Sequence, residues 1–181
     1  MRKFTSPPGL ELAGYMTMTF VNNLQSVETT PVLARHGLAN LDPNGWYPAS
    51  KFMDALNELT HHDNRSANFV AIGLEVGKAT PFPPDVRTLE DALLGWDKAY
   101  KSVHRNHHND IGSVKLQKVS PSHFKTIHDH LYPDDFSYGI IYGFAQRFLP
   151  QSVFFKVYYD LDLPRRDIDN ADQTVIHIEW D

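Results

Sequence analysis

The chain has 181 residues, 41% of them hydrophobic and 22% charged, and a formal net charge of −5 with both signs scattered. That length suits one domain with a sizeable core and an ordinary globular composition. No Lys/Arg stripe follows a phosphate backbone, which disfavours nucleic-acid binding, and no apolar run nears the roughly 18–20 residues that span a bilayer. The absence of cysteine excludes disulfides, thiolate nucleophiles and cysteine-ligated metal sites.

In chain order, the opening MRKFTSPPGLEL carries two basic residues with no apolar run behind them, so no signal peptide is expected. ELAGYMTMTFVNNL (residues 11–24) is rich in β-branched and aromatic residues, and Tyr15, Thr17 and Thr19 alternate with Met16, Met18 and Phe20. That alternation predicts a strand. TTPVLARHG predicts a short helix, with Thr at the cap, Pro in the first turn and Gly at the end. After the turn LDPNGW, residues 47–62 place Phe52, Leu56 and Leu59 at helical spacing. Asn64 or Ser66 then caps a helix over RSANFVAIGLEVGKA, whose buried stripe is Phe69, Ile72 and Val76.

TPFPPDV breaks the pattern. TLEDALLGWDKAYKSVHRN starts with Thr88 and an acidic pair, a good helix start, and presents Leu89, Ala92, Leu93, Trp96 and Tyr100 as its apolar face. IGSVKLQKVS and SHFKTIHDHL predict paired strands. YPDDFSYGIIYGFAQRFLP predicts a helix from Pro133, with Asp134 and Asp135 at its positive end. SVFFKVYYDL and QTVIHIEW close the chain as strands across the polar connection DLPRRDIDNAD. The order predicts an α+β fold: an antiparallel sheet with N-terminal helices and one long glycine-containing helix packed on it. A single domain is expected, with residues 1–45 as an extension and 46–181 as the core.

Several residues are candidates for a site. Gly139 and Gly143 lie one helical turn apart beside Tyr138 and Tyr142, and each glycine costs about 1 kcal/mol relative to alanine. Something must approach that backbone, either a neighbouring element, a second copy or a ligand in an apolar pocket. Gly73 and Gly77 repeat the spacing. The ten histidines are clustered. On strands, His128 and His130 would share a face, as would His177 and Glu179, so if the strands are neighbours the four form a candidate metal cluster. No HExxH spacing occurs, and pairs such as His61-His62 suit solvated helix ends. Arg105 suits either an anionic ligand group or a helix C-terminus. The acidic stretch from Asp160 to Asp172 lacks the calcium-loop spacing. No phosphate loop, nucleophile elbow or dinucleotide fingerprint occurs, so little points to an enzyme.

RTLEDALLGWDKAYKSVHRN, a hairpin, LYPDDFSYGIIYGFAQRFLP and two strands ending in IHIEW together resemble the 4-vinyl reductase domain family. That family belongs to the superfamily of haem nitric-oxide sensors and the TRAPP subunits of Golgi transport. The resemblance spans Trp46 to Trp180, and its best motif is Tyr132, Pro133, Tyr138, Gly139 and Gly143. It implies a ligand-binding sensor module, often dimeric, of bacterial or archaeal signalling proteins. Family members carry cysteines near the Tyr-Pro turn and in the last hairpin, where this chain has Asp134 and DNADQTVIHIEW, so no cysteine-based role carries over. The Tyr-x-Ser-x-Arg signature that clamps haem propionates in the related sensors does not occur, and haem is not inferred from the resemblance.

The leading expectation is a cytoplasmic, non-catalytic, homodimeric sensor of a small, largely apolar molecule. Its ligand would sit against Trp96, Tyr100, Arg105, Phe124, Tyr138, Gly139, Tyr142, Gly143 and Tyr158. Two alternatives stand beside it. One is a histidine-based sensor or enzyme holding haem or a divalent metal at His128, His130, His177 and Glu179. The other is a dimeric assembly subunit without a ligand.

Overall fold

The long helices are set by local chemistry before any tertiary contact. In the computed structural model, which describes residues 2–23, 29–61, 65–108 and 110–181, Thr88 caps helix α5 (Leu89–Ser102) with a reciprocal capping box to Asp91. Helix α6 (Asp134–Phe148) starts after Pro133 with Asp134 and Asp135 in its first turn. Helix α2 (Thr29–Arg35) falls where its Thr, Pro and Gly signals place it, and α3 (Ala49–Leu59) and α4 (Arg65–Ala79) where the apolar spacing does. Asn64 and His62 lie outside the described residues.

One expectation is corrected. The stretch read as a strand over residues 11–24 is strand only at β1 (Glu11–Ala13) and continues as helix α1 (Gly14–Asn23). The helix's buried positions are Gly14, Thr17, Phe20 and Val21, a helical spacing. The threonines are reconciled with a helix by bonding back one turn: Thr17 Oγ1 donates to the carbonyl of Ala13 (3.2 Å) and Thr19 Oγ1 to that of Tyr15 (3.0 Å).

β1 is the middle of a small antiparallel sheet, between β2 (Trp46–Pro48) and β3 (His104–Arg105). These two short strands and the single-turn helix α7 (Arg166–Asp169) have no sequence periodicity to announce them. The second sheet has four antiparallel strands: β4 (Val114–Ser120), β5 (His123–His128), β7 (Thr174–Trp180) and β6 (Phe155–Tyr159), side by side in that order. The fold is therefore α+β with antiparallel sheets. On β5 the buried residues are Phe124, Thr126 and His128. Register pairs Phe124 with Ile178 and Thr126 with Ile176, so these define the inner face; Lys125 with His177 and His123 with Glu179 lie on the outer one.

Helices α4 and α6 pack closely against each other through their glycines. A Cβ on Gly139 would sit 2.2 Å from the Val70 carbonyl oxygen, one on Gly143 2.4 Å from that of Leu74, and one on Gly73 2.1 Å from that of Phe136. The one-turn glycines thus meet a neighbouring helix, main chain to main chain.

Candidate functional site

Where α1, α3, α5 and α6 converge they leave a cavity of about 70 Å³. By a measure in which one water needs about 10–15 Å³, that is room for roughly five. Its walls are apolar over most of their extent: Leu12, Met16, Phe20, Phe52, Val76, Trp96, Phe136 and Ile140. The polar end is made by Tyr100, His104, His130 and Tyr132. Tyr100 and His104 are one turn apart, so the helix end and the start of β3 deliver them together.

The hydrogen bonds fix the proton positions. His104 Nδ1 lies 2.7 Å from the Tyr100 carbonyl, which only accepts, so Nδ1 carries the proton. Nε2 is then a lone pair, and the Tyr132 hydroxyl donates to it at 2.7 Å. Burial pushes the His104 imidazole down to about 4 and the Tyr132 phenol well above its usual range. The pair is neutral throughout the physiological range.

The neighbouring histidines follow the same logic. Thr126 Oγ1 donates to the Ile176 carbonyl (3.1 Å), so it accepts from His128 Nε2 (2.8 Å). His128 Nδ1 then accepts from His130 Nε2 (3.2 Å), which also faces Ser137 Oγ (2.9 Å), while His130 Nδ1 accepts from the Tyr132 backbone N–H (3.2 Å). A single set of neutral tautomers satisfies every group. Burial, with the Arg166 charge adding to it, pushes His128 to about 3 and His130 well below its usual range.

Arg166 anchors this segment from behind. Its guanidinium is fully buried, pairs with the equally buried Asp134 (Nη2 to Oδ1, 2.7 Å), and donates to the carbonyls of His130 and Tyr132. Thr174 Oγ1 and the Asp167 backbone N–H donate to the other Asp134 oxygen at 2.8 and 3.2 Å. The turn carrying His130 and Tyr132 is thereby tied to α6, α7 and β7.

No family model and no curated protein matches the chain. Solved structures do. An H-NOX structure from a study of haem distortion is 14% identical, with a TM-score of 0.69 over 93% of this chain and 95% of that one. An oxygen-binding H-NOX domain related to soluble guanylate cyclases is 14% identical, with a TM-score of 0.63 over 93% and 95%. An unliganded Fe(II) H-NOX protein from K. algicida is 9% identical, with a TM-score of 0.65 over 94% and 97%. The chain has the H-NOX fold.

Haem, which the H-NOX neighbours bring to mind, does not fit the cavity as packed. Ligands of drug size and above occupy about 300–1,000 Å³, against about 70 Å³ here. Among the described residues no lysine or arginine lines the cavity to meet acidic side chains, and Nε2 of His104 is covered by Tyr132.

Of the residues expected to bind a ligand, Trp96 and Tyr100 line this cavity. On this H-NOX scaffold Gly139 and Gly143 are turned to α4. Tyr138 and Tyr142 are turned to β6, with the Tyr138 hydroxyl donating to the Val157 carbonyl (2.8 Å) and the Tyr142 ring 4.8 Å from that of Phe155. Phe124 stacks on Trp180 under the inner face, and Tyr158 stacks on His177 at the outer face. Arg105 pairs with Glu11 at 2.6 Å and lies over Trp46.

The expected metal cluster divides in two. β5 and β7 are neighbours, but His128 lies on the inner face against Trp96 while His177 and Glu179 lie on the outer one. His123 joins the outer pair instead. Sequence reasoning passed over His104 in favour of Arg105, although the four-residue spacing from Tyr100 marks His104 as the inward residue. Nothing in the run RRDID singles out Arg166 over Arg165.

Proposed function

We propose that the chain is a non-catalytic sensor module that takes a small, largely apolar molecule into the cavity above the His104–Tyr132 pair. The observation that carries this reading is a mostly apolar cavity closed at one end by two neutral, mutually bonded polar groups within an H-NOX fold. Apolar walls supply the binding energy and the polar end supplies orientation. A cavity for roughly five heavy atoms, at about 1.5 kcal/mol per atom at best, caps affinity near the micromolar range.

Chemistry on the guest is disfavoured. A base with a pKa of about 4 takes protons poorly at neutral pH. The two hydroxyls on the wall besides the tyrosines are committed to carbonyls, Ser102 to Ala99 (2.8 Å) and Thr80 to Val76 (2.7 Å). The resemblance of residues 46–180 to the 4-vinyl reductase group supports a place in a homodimeric bacterial signalling protein.

The test is xenon NMR and calorimetry with dichloromethane, furan and haemin on the wild type and on Ala99→Leu, which fills the cavity. Saturable uptake of the small apolar probes, weakened at least tenfold in Ala99→Leu, is the expected result. Failure of every small probe to bind, or binding unchanged by the filling residue, overturns the proposal. Stoichiometric haemin with a Soret band lost in His104→Ala replaces it with a haem sensor.

A further inference from the structure

The outer face of the four-stranded sheet carries a cluster unrelated to the cavity. His123, His177 and Glu179 each present one ligand atom, and these atoms lie within 4.8 Å of one another. His123 Nε2 is 2.8 Å from His177 Nδ1 and 3.4 Å from Glu179 Oε1. We propose that these three residues form a binding site for a divalent transition-metal ion, zinc above all, with a remaining position open to the groove beside Phe154 and Ser122.

Ligand geometry supports this. Two nitrogens bound to one tetrahedral ion at about 2.0–2.1 Å stand roughly 3.3 Å apart. The His123–Glu179 separation already matches, and the two histidines need open by only about half an ångström. Two imidazoles and a carboxylate with a vacant position is a donor set suited to zinc and neighbouring first-row ions.

The surroundings orient the ligands. Asp160 Oδ2 accepts from His177 Nε2 at 3.0 Å, which places the proton on that nitrogen and leaves Nδ1 as a lone pair aimed at His123. A carboxylate behind a histidine in this manner fixes the tautomer that binds metal. Tyr158 stacks on the His177 ring at 4.7 Å and 17° and fixes its plane. On binding, His123 moves its proton to Nδ1 and gives Nε2 to the ion, so no proton need be released.

Two cations oppose the ion. Lys156 Nζ is 2.6 Å from Glu179 Oε2 and Lys125 Nζ is 3.3 Å from Asp160 Oδ2. Lys156 leaves Glu179 Oε1 to face His123, whereas Lys125 shares Asp160 Oδ2 with His177 Nε2 and stands behind that ring, away from Nδ1. Glu179 can bind through Oε1 while Oε2 keeps Lys156; the Tyr158 hydroxyl donates to Oε1 as well, leaving that oxygen a second lone pair.

The experiment is zinc titration by calorimetry on the full chain after chelator treatment, with visible spectra of the cobalt-substituted form. Variants are His123→Ala and Glu179→Gln, checked for folding by circular dichroism, and Asp160→Asn. One equivalent of zinc is expected in the wild type, with affinity falling at least tenfold in all three variants, and four- or five-coordinate cobalt bands. Asp160 is not among the three ligands and reaches the ion by way of His177, so a loss of 10–100-fold in Asp160→Asn with unchanged stoichiometry separates orientation from ligation. Absence of zinc binding in the wild type at micromolar metal, or a change of less than tenfold in His123→Ala, overturns the site.

Discussion

The Tyr132 hydroxyl and the Nε2 lone pair of His104 meet at 2.7 Å, closing the polar end of an otherwise apolar cavity. Tyr132→Phe therefore leaves a buried acceptor without its donor. The expected cost is about 1–3 kcal/mol, read as a lower urea midpoint with an unchanged slope. An unaltered midpoint would show that the hydroxyl contributes nothing to the stability of that end.

Acid stability should follow the buried histidines. A group whose folded pKa lies below its unfolded value of about 6.5 binds fewer protons folded than unfolded between the two. Stability is then lost as pH falls below about 6.5, over a range reaching about 4 for His104 and about 3 for His128. Asp167 acts oppositely. Burial and Asp134 push it up to about 6, so its contribution is complete below about 3.9 and lost as pH rises through 6. The histidines outweigh it together: at 1.36 kcal/mol per pKa unit His104 represents on the order of 3 kcal/mol, about what Asp167 returns, and His128 adds more than that. Thermal midpoints measured from pH 7.5 to 4 should fall steadily, and less steeply in His104→Phe. A flat profile would contradict the assigned neutral network.

Alanine has opposite effects at different helical glycines. Gly139→Ala or Gly73→Ala drives a Cβ to 2.2 or 2.1 Å from a backbone oxygen that cannot step aside, and several kcal/mol of stability should be lost. Gly95 in α5 faces nothing nearer than 3.5 Å, the edge of Phe82, so Gly95→Ala should gain about 0.4–1 kcal/mol. Chemical denaturation of the three variants checks both signs.

Arg166→Met removes the partner of a fully buried carboxylate and frees the carbonyls of His130 and Tyr132. A loss of about 3–5 kcal/mol is expected. Adding Asp134→Asn should recover part of it, because the stranded charge is then gone. A double-mutant cycle in urea measures the coupling, and strict additivity would contradict the pairing.

The sequence made the long elements legible because their chemistry is local. Thr88 with Asp91 and Pro133 with its two aspartates mark helix starts without reference to the rest of the chain. Residues 14–23 misled because threonine and aromatic content favours strands, and the hydroxyl bonds from Thr17 and Thr19 that make a helix acceptable are invisible until it exists. The glycine spacing correctly signalled a close approach, but composition cannot say what approaches. The division of the histidines could have been read: His128 alternates in phase with Phe124 and Thr126, whereas His177 and Glu179 are out of phase with Ile176 and Ile178. Arg166 could not, since its partners come from α6, the turn just before it and β7, 30 or more residues earlier or eight later.

With backbone set against backbone, α4 and α6 have no side-chain cushion to absorb a displacement. They act as one stiff beam, and both Val76 and Ile140 on that beam border the cavity. If the proposed guest presses there, it would tilt the pair over the sheet as a unit instead of bending one half of it, and local occupancy would be passed on as a rigid-body movement.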